Sequence, residues 1–162
     1  MEFDKTTQDA LKLIHEGNHI IFREVGRVCE KYHLNYFLDS GNLIGAVREK
    51  SDIPWDDDAD IAMTRKDFEV FRKVARTELK DGFVYVEPDE LNGAFYDFVP
   101  RVVMLDSTMR ENNAEQKYYG NGIHNHMRTD IFIVDDVSDN MLKHKFCHAL
   151  LILVYGGMRM IY

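Results

Sequence analysis

Cysteine is scarce in this sequence, and its scarcity excludes two classes of protein. Cys29 and Cys147 are the only two cysteines, so the chain has no disulfide framework and no paired spacing for a structural zinc site. Both lie in apolar patterns with helical spacing, and we therefore expect two buried free thiols. Free thiols are compatible with a reducing compartment.

Basic residues and targeting signals are also few. The formal net charge is −8 at pH 7, which argues against a nucleic-acid-binding protein because such proteins present a basic surface. Residues 1–5, Met-Glu-Phe-Asp-Lys, do not combine a basic region with an apolar run. We therefore expect no signal peptide and a cytoplasmic location. The 162 residues suit a single domain, 1–162, with a buried core.

Apolar residues recur with helical spacing in some segments and form short runs typical of strands in others. Thr64 is a suitable N-cap for one helix, and Ser138 or Asp139 is expected to cap a final helix that Gly156 and Gly157 would end. The mixture predicts an α+β domain with a mixed sheet and flanking helices. Helices are predicted over about 7–32, 43–49, 65–79 and from 138 onward, and strands over 36–38, 59–63, 83–87, 98–105 and 129–134.

The most acidic segment, residues 53–63, contains four aspartates and ends in apolar residues. In an extended segment side chains alternate between faces, so Asp56, Asp58 and Asp60 would share one face. Two unit charges about 4 Å apart repel each other by roughly 4 kcal/mol at an effective dielectric constant near 20. Mg²⁺ or Mn²⁺ would relieve this repulsion and takes oxygen ligands from carboxylates and substrate phosphates. We therefore predict a divalent metal site at Asp56, Asp58 and Asp60.

A solvated loop and a calcium loop are two other interpretations of the acidic segment. Most acidic runs are solvated loops, and Pro54 suits a loop, whereas Trp55 and the apolar residues that follow do not. A calcium loop of the EF-hand type needs Gly at its sixth position and usually Glu at its twelfth, where this chain has Ile61 and Asp67. A catalytic metal site explains the segment better than either.

A glycine-containing turn precedes the acidic segment. Gly41 would let the backbone approach a ligand closely, and Asn42 is expected to cap the next short helix, whose N-terminus could receive a phosphate. Arg48 lies between this turn and the aspartates. Asp130 opens a later apolar strand, where an unpaired carboxylate is costly, so we expect a third site carboxylate there rather than a simple partner of Arg128.

These segments resemble a known family. Residues 41–48 (Gly-Asn-Leu-Ile-Gly-Ala-Val-Arg) and 53–61 (Ile-Pro-Trp-Asp-Asp-Asp-Ala-Asp-Ile) closely resemble the central motif of the LicD family, and 129–132 (Thr-Asp-Ile-Phe) resembles its second block. That family contains phosphocholine transferases, with fukutin and fukutin-related protein as eukaryotic relatives. The family usually has Thr or Ser where this chain has Asn42, and it usually continues with further helices, so we expect a C-terminal extension to be missing.

The resemblance implies a nucleotidyltransferase-like fold and a function. The chain would be a metal-dependent transferase that moves phosphocholine, or a related phospho group, from a CDP-linked donor to a sugar hydroxyl of a surface glycan such as lipopolysaccharide or teichoic acid. Two other functions stay open, namely a nucleotidyltransferase that uses an NTP and a non-catalytic nucleotide-binding remnant. The implied roles are catalytic for Asp58, Asp60 and Asp130, metal-binding for Asp56, Asp58 and Asp60, and phosphate-binding for Gly41, Asn42 and Arg48.

Within residues 146–162, the run 146–155 is apolar almost all round, and Met158, Met160 and Ile161 extend this character while Arg159 interrupts it. The apolar run is shorter than the roughly 20 residues that span a bilayer. Such a helix leaves one face uncovered by a small domain, so we expect either a homo-oligomer or peripheral membrane contact. The pair His15 and His19 has helical spacing without the Glu of a zinc-protease motif, and a surface or core role is expected. Tyr118 and Tyr119, in a polar segment, could stack on a base or on choline, or they could simply anchor that segment.

Overall fold

The computed structural model describes residues 5–91, 99–107 and 126–161. Within these ranges a five-stranded mixed sheet carries flanking helices, which confirms the predicted α+β class. The helices are α1 (Lys5–Tyr32), α2 (Ser40–Ile44, continued by a π-helical turn, Gly45–Glu49), α3 (Arg65–Glu78) and α4 (Met141–Ile161), with a 3-10 turn at Pro88–Leu91; the strands are β1 (Phe37–Leu38), β2 (Asp60–Thr64), β3 (Phe83–Val86), β4 (Arg101–Met104) and β5 (Met127–Val134).

The strand order brings the two strands that carry aspartates together. The order is β1-β2-β5-β4-β3, in which β2 and β5 are parallel and all other neighbours are antiparallel. The register places Asp60 of β2 opposite Asp130 of β5, and Arg101 of β4 opposite Asp130 on its other side. These three residues therefore form a row across three neighbouring strands.

The core lies between the sheet and helices α1 and α3, which also contact each other. Truncation of such buried aliphatic or aromatic side chains typically costs about 2–5 kcal/mol, so α1 is held firmly against the sheet. The core residues include Ile21, Val25 and Val28 of α1, Phe68 and Phe71 of α3, and Ile61, Met63, Val102 and Ile131 of the strands.

The sequence predicted the N-terminal cap of α3 correctly and that of α4 wrongly. Thr64 caps α3 as expected, because its hydroxyl accepts a hydrogen bond from the backbone N–H of Asp67 at 3.3 Å. The cap predicted for the final helix was wrong. Asn140 takes that place, because its Oδ1 accepts hydrogen bonds from the N–H groups of Leu142 and Lys143, and a side-chain acceptor immediately before the first turn satisfies those donors best.

Helix α4 continues beyond the predicted stop and is exposed from Met141 to Val154. Gly156 and Gly157 do not end it, since neither adopts the positive φ of a glycine C-cap. The helix makes no extensive contact with the other described helices and strands, and Leu142 and Phe146 are 79% and 70% exposed. For the same reason Cys147 is exposed, contrary to expectation, whereas Cys29 is buried.

No helix in the described ranges is both long enough and apolar enough to cross a membrane.

Candidate active site

The aspartates do not share one strand face as predicted. β2 begins only at Asp60, and residues 56–59, the acidic loop, form an irregular segment in front of it. Because this segment lacks the two-residue alternation of a strand, the side chain of Asp57 is not directed to the face opposite those of Asp56 and Asp58. The carboxylates of Asp56, Asp57 and Asp58 therefore lie within 4.8 Å of one another, and Asp60 follows at the start of the strand. The metal-binding roles of Asp56, Asp58 and Asp60 stay predictions.

Gly41 gives the acidic loop the room that it needs. A Cβ atom built on Gly41 would lie 1.8 Å from Oδ2 of Asp56, far inside van der Waals contact. Any other residue would therefore displace this carboxylate. The neighbouring Ser40 has a φ of 47°, a value uncommon for residues other than glycine, and its hydroxyl donates a hydrogen bond to the carboxylate of Asp60.

Asn42 holds the C-terminal end of the acidic loop rather than capping a helix. It lies inside α2, and Asp39 occupies the N-cap position. Its Oδ1 accepts a hydrogen bond from the N–H of Asp60 at 2.7 Å, and its Nδ2 donates to the carbonyl oxygen of Asp58 at 3.4 Å. The predicted cap was therefore wrong, because the amide side chain has stronger partners in the neighbouring strand.

Asp130 stands next to Asp60 and is also paired with arginine. Arg101 Nε donates to Oδ1 of Asp130 at 2.6 Å and its Nη2 donates to Oδ2 at 3.2 Å. Arg128 Nε lies 3.8 Å from the same Oδ1. Arg101 is only 4% exposed, and such a two-fold contact fixes the plane of a carboxylate. Asp130 thus lies beside Asp60, as expected, and it is also paired with arginine, although its hydrogen-bonded partner is Arg101 rather than the Arg128 that the sequence suggested.

Burial, together with the neighbouring carboxylates, disfavours the charged forms of Asp60 and Asp58. Burial, together with the charges of Asp130 and Asp58, raises the pKa of Asp60 to about 6, against the hydrogen bond from Ser40. Partial burial of its carboxyl and the charges of Asp57 and other neighbours raise the pKa of Asp58, although Asp58 as a whole residue stays exposed. A cation would relieve both effects.

The residues present fit a divalent cation with a preference for oxygen. The clustered side chains of the loop, Asp56, Asp57 and Asp58, all offer carboxylate oxygens, the ligands of Mg²⁺ and Mn²⁺, and the glycine at position 41 leaves space beside one of them. The chemistry of this donor set therefore agrees with the predicted cofactor, while the identity of the ion is a matter for the proposal below.

Helix α1 contacts the acidic loop and the residue before it through side chains to which the sequence assigned no role at the site. His15 Nε2 lies 2.7 Å from the first backbone carbonyl oxygen of the loop, that of Asp56. Asn18, 3% exposed, donates to the next two carbonyls, at 3.4 and 3.3 Å. His19 Nε2 lies 3.1 Å from Oδ1 of Asp52, just before the loop. The helical spacing of His15, Asn18 and His19 places them on one face of α1, but the sequence does not indicate which segment this face contacts.

The remaining predicted residues are less informative. Arg48 is exposed, and its Nε donates to Oε1 of the adjacent Glu49 at 2.6 Å, so its contact with phosphate stays a prediction. Tyr118 and Tyr119 lie outside the described residues. Arg101, which sequence reasoning missed, could have been found as the lone cation that opens an apolar strand.

Three curated proteins have segments similar to this chain. The lipopolysaccharide cholinephosphotransferase LicD of Haemophilus influenzae is 50% identical over 44 residues, which are 27% of this chain and 17% of that protein. An uncharacterised protein of Rickettsia typhi is 33% identical over 54 residues, 33% of this chain and 18% of its own length. One of Rickettsia prowazekii is 36% identical over 47 residues, 29% and 18% respectively. The chain thus matches less than a fifth of the length of each relative.

A family profile covers much more of the chain. The profile described as LicD/FKTN/FKRP, nucleotidyltransferase domain, matches residues 33–152. That range includes α2, the acidic loop and all five strands, and hence the predicted nucleotidyltransferase-like core. The chain therefore belongs to the LicD/FKTN/FKRP family of nucleotidyltransferase domains.

Proposed function

We propose that this chain is a metal-dependent transferase that moves phosphocholine, or a related phospho group, from a CDP-linked donor to a sugar hydroxyl of a cell-surface glycan. The observation that carries the proposal is the convergence of Asp56, Asp57 and Asp58 within 4.8 Å, beside the paired Asp60 and Asp130. Support for the group transferred comes from the name of the Haemophilus influenzae relative, a lipopolysaccharide cholinephosphotransferase.

Asp58 and Asp60 would hold Mg²⁺ or Mn²⁺, with Asp56 adjoining. The ion would neutralise the charge that develops on the donor's diphosphate, so that CMP could leave without a protein acid. Asp57 belongs to the same cluster and could replace or join Asp56. A carboxylate has about four lone-pair positions that can accept hydrogen bonds or bind a cation. Arg101 occupies two of them on Asp130, so Asp130 keeps acceptor capacity toward the site.

In the proposed reaction the acceptor hydroxyl oxygen bonds to the phosphorus of phosphocholine, and the bond from that phosphorus to the bridging oxygen breaks. CMP leaves with the electron pair of that bond. Transition states of this class are loose, and catalysis is mainly positioning and charge stabilisation. Arg48 would steady the leaving nucleotide, and Gly41 and Asn42 would keep the acidic loop open to the diphosphate. Asp130 would serve as a further ligand, in which case the hydroxyl proton passes to solvent, or it would accept that proton itself. Its pairing with Arg101 favours the ligand role, because protonation would weaken that pair.

Product analysis separates this function from its rivals. The parent chain would be incubated with Mg²⁺ and lipopolysaccharide, and with either choline-labelled CDP-choline or labelled CTP or ATP. The proposal expects labelled glycan and free CMP from CDP-choline only. Diphosphate released from CTP or ATP would favour nucleotidyl transfer, and metal-dependent binding of CDP-choline without any product would favour a non-catalytic module. Asp58→Asn serves as the inactive control.

A second proposal concerns α4, which carries Lys143, Lys145 and Arg159 and no acidic residue, in a chain of net charge −8. Its large apolar side chains between Met141 and Val154 are exposed. Apolar residues combined with basic ones suit an anionic lipid surface, and the lipopolysaccharide named for the relative is itself a lipid-anchored glycan. We therefore propose peripheral membrane contact through α4. The expected cytoplasmic location stays a prediction.

Vesicle co-sedimentation decides between the partners of α4. Binding to vesicles with an anionic lipid, but not to neutral vesicles, and loss of binding in Lys143→Glu/Lys145→Glu would support membrane contact. A concentration-dependent dimer in light scattering, with no sedimentation on either kind of vesicle, would support self-association instead.

A further inference from the structure

Helix α1 lies outside the part of the chain that matches the family, yet it contacts the acidic loop. The match begins at residue 33, whereas α1 ends at Tyr32. His15 and Asn18 project from one face of this helix and reach the loop across about forty positions of sequence. The contact is therefore a tertiary feature that family membership alone does not supply.

The contacts engage three consecutive backbone carbonyl groups. A carbonyl oxygen only accepts hydrogen bonds, so Nε2 of His15 carries the proton that it donates to Asp56. Asn18 donates to the carbonyls of Asp57 and Asp58. Because Asn18 is 3% exposed, its amide cannot turn to water, and these carbonyls are the partners that make its burial tolerable.

The residues whose carbonyls are held are the same ones whose carboxylates converge. Asp56, Asp57 and Asp58 approach within 4.8 Å of one another, although their mutual repulsion would open a free loop. α1 is fixed in turn by core residues such as Val25 and Val28, both fully buried. The helix therefore connects the rigid core to the loop backbone and opposes the repulsion.

We infer that His15 and Asn18 are positioning residues that preorganise the acidic loop for a divalent cation. The inference rests on the proposed function, because it presupposes that the loop binds metal. Groups that orient metal ligands in this way typically contribute 10- to 100-fold in metal affinity, and we expect about a ten-fold loss when either hydrogen bond is removed.

Four variants of the full chain test the inference. His15→Phe and Asn18→Leu each remove a hydrogen-bond donor and put an apolar side chain of similar bulk in its place. His15→Gln restores an amide N–H near the position of Nε2. Val28→Ala truncates the buried face of the same helix without touching the loop and controls for general destabilisation. Mn²⁺ affinity is measured by calorimetry, and amide hydrogen exchange of residues 57–60 is followed in the metal-free protein.

We expect weaker Mn²⁺ binding and faster loop exchange in His15→Phe and Asn18→Leu, recovery in His15→Gln, and unchanged Mn²⁺ affinity in Val28→Ala despite a lower Tm. If the parent binds Mn²⁺ and Asp58→Asn does not, unchanged affinity in His15→Phe and Asn18→Leu overturns this inference alone. An equal loss of Mn²⁺ affinity in Val28→Ala also overturns this inference, because the loss would then follow from general destabilisation of α1. A parent chain that binds no Mn²⁺ overturns the proposed function as well.

Discussion

Replacing Asp60 by asparagine should make the metal-free protein more stable, although it removes a site residue. Burial and the nearby carboxylates raise the pKa of Asp60 from 3.8 to about 6. Each unit corresponds to about 1.4 kcal/mol, so the ionised side chain disfavours folding by on the order of 2–3 kcal/mol above pH 7. Asparagine keeps the shape and carries no charge. In a domain of this size that gain corresponds to roughly 5–10 °C in Tm.

The sign of the effect can be followed with pH. Because the folded-state pKa is raised, Asp60 contributes stability that is fully present below pH 3.8 and is lost as pH rises through about 6. The advantage of Asp60→Asn should therefore be largest near pH 8 and smaller at pH 5. Thermal unfolding in EDTA at both values measures it, and added Mn²⁺ should stabilise the parent and not the variant.

Asp135→Asn provides a control of opposite sign. A hydrogen bond from Arg65 lowers the pKa of Asp135, so its removal should not stabilise the protein at pH 8. An Asp60→Asn variant that is less stable than the parent at pH 8 in EDTA, or one whose advantage grows toward pH 5, would refute the reasoning that crowded carboxylates destabilise the metal-free site.

Three further substitutions test the neighbours of the acidic loop. Gly41→Ala should displace the Asp56 carboxylate, because its Cβ would lie 1.8 Å from Oδ2, and calorimetry should show at least a ten-fold loss of Mn²⁺ affinity; equal affinity would contradict the observed contact. Arg101→Met should destabilise the protein by roughly 3–5 kcal/mol in urea unfolding, because it leaves Asp130 without its buried partner, and the double variant Arg101→Met/Asp130→Asn should recover part of that loss; no recovery would mean that the pairing is not the cause. Arg48→Ala should weaken CDP-choline binding with little change in Tm, since the side chain is exposed; unchanged affinity would remove Arg48 from the donor site.

Local patterns predicted much of the fold. The run 129–134 and the segment after Thr64 carry strong strand and helix signals, and both elements form within two residues of the predicted bounds. The density of aspartates predicted a cation site, and the structure brings three of these carboxylates within 4.8 Å of one another, while the metal itself stays a prediction. The prediction that Asp56, Asp58 and Asp60 share one strand face was wrong because β2 begins at Asp60. The side-chain alternation assumed for residues 56–60 requires a strand that extends further toward the N-terminus.

The rest depends on contacts between distant positions. His15 and Asn18 meet the acidic loop from about forty residues away, and the sequence offers only a helical spacing without a partner. Arg101 reaches Asp130 because β4 pairs with β5 in one particular register, and a shift of one residue would turn it to the opposite face. Asn42 appeared to be a helix cap because its local context allows one, whereas the folded chain supplies partners in the neighbouring strand.

Calorimetric titration of CDP-choline tests the central claim most directly. The account predicts that the parent chain binds CDP-choline in the presence of Mg²⁺, that EDTA abolishes the binding, and that Asp58→Asn and Asp60→Asn lose it while remaining folded. CDP-choline binding of equal strength in EDTA, or in both variants with Mg²⁺, would contradict the claim that these aspartates hold the cation that receives the donor's diphosphate.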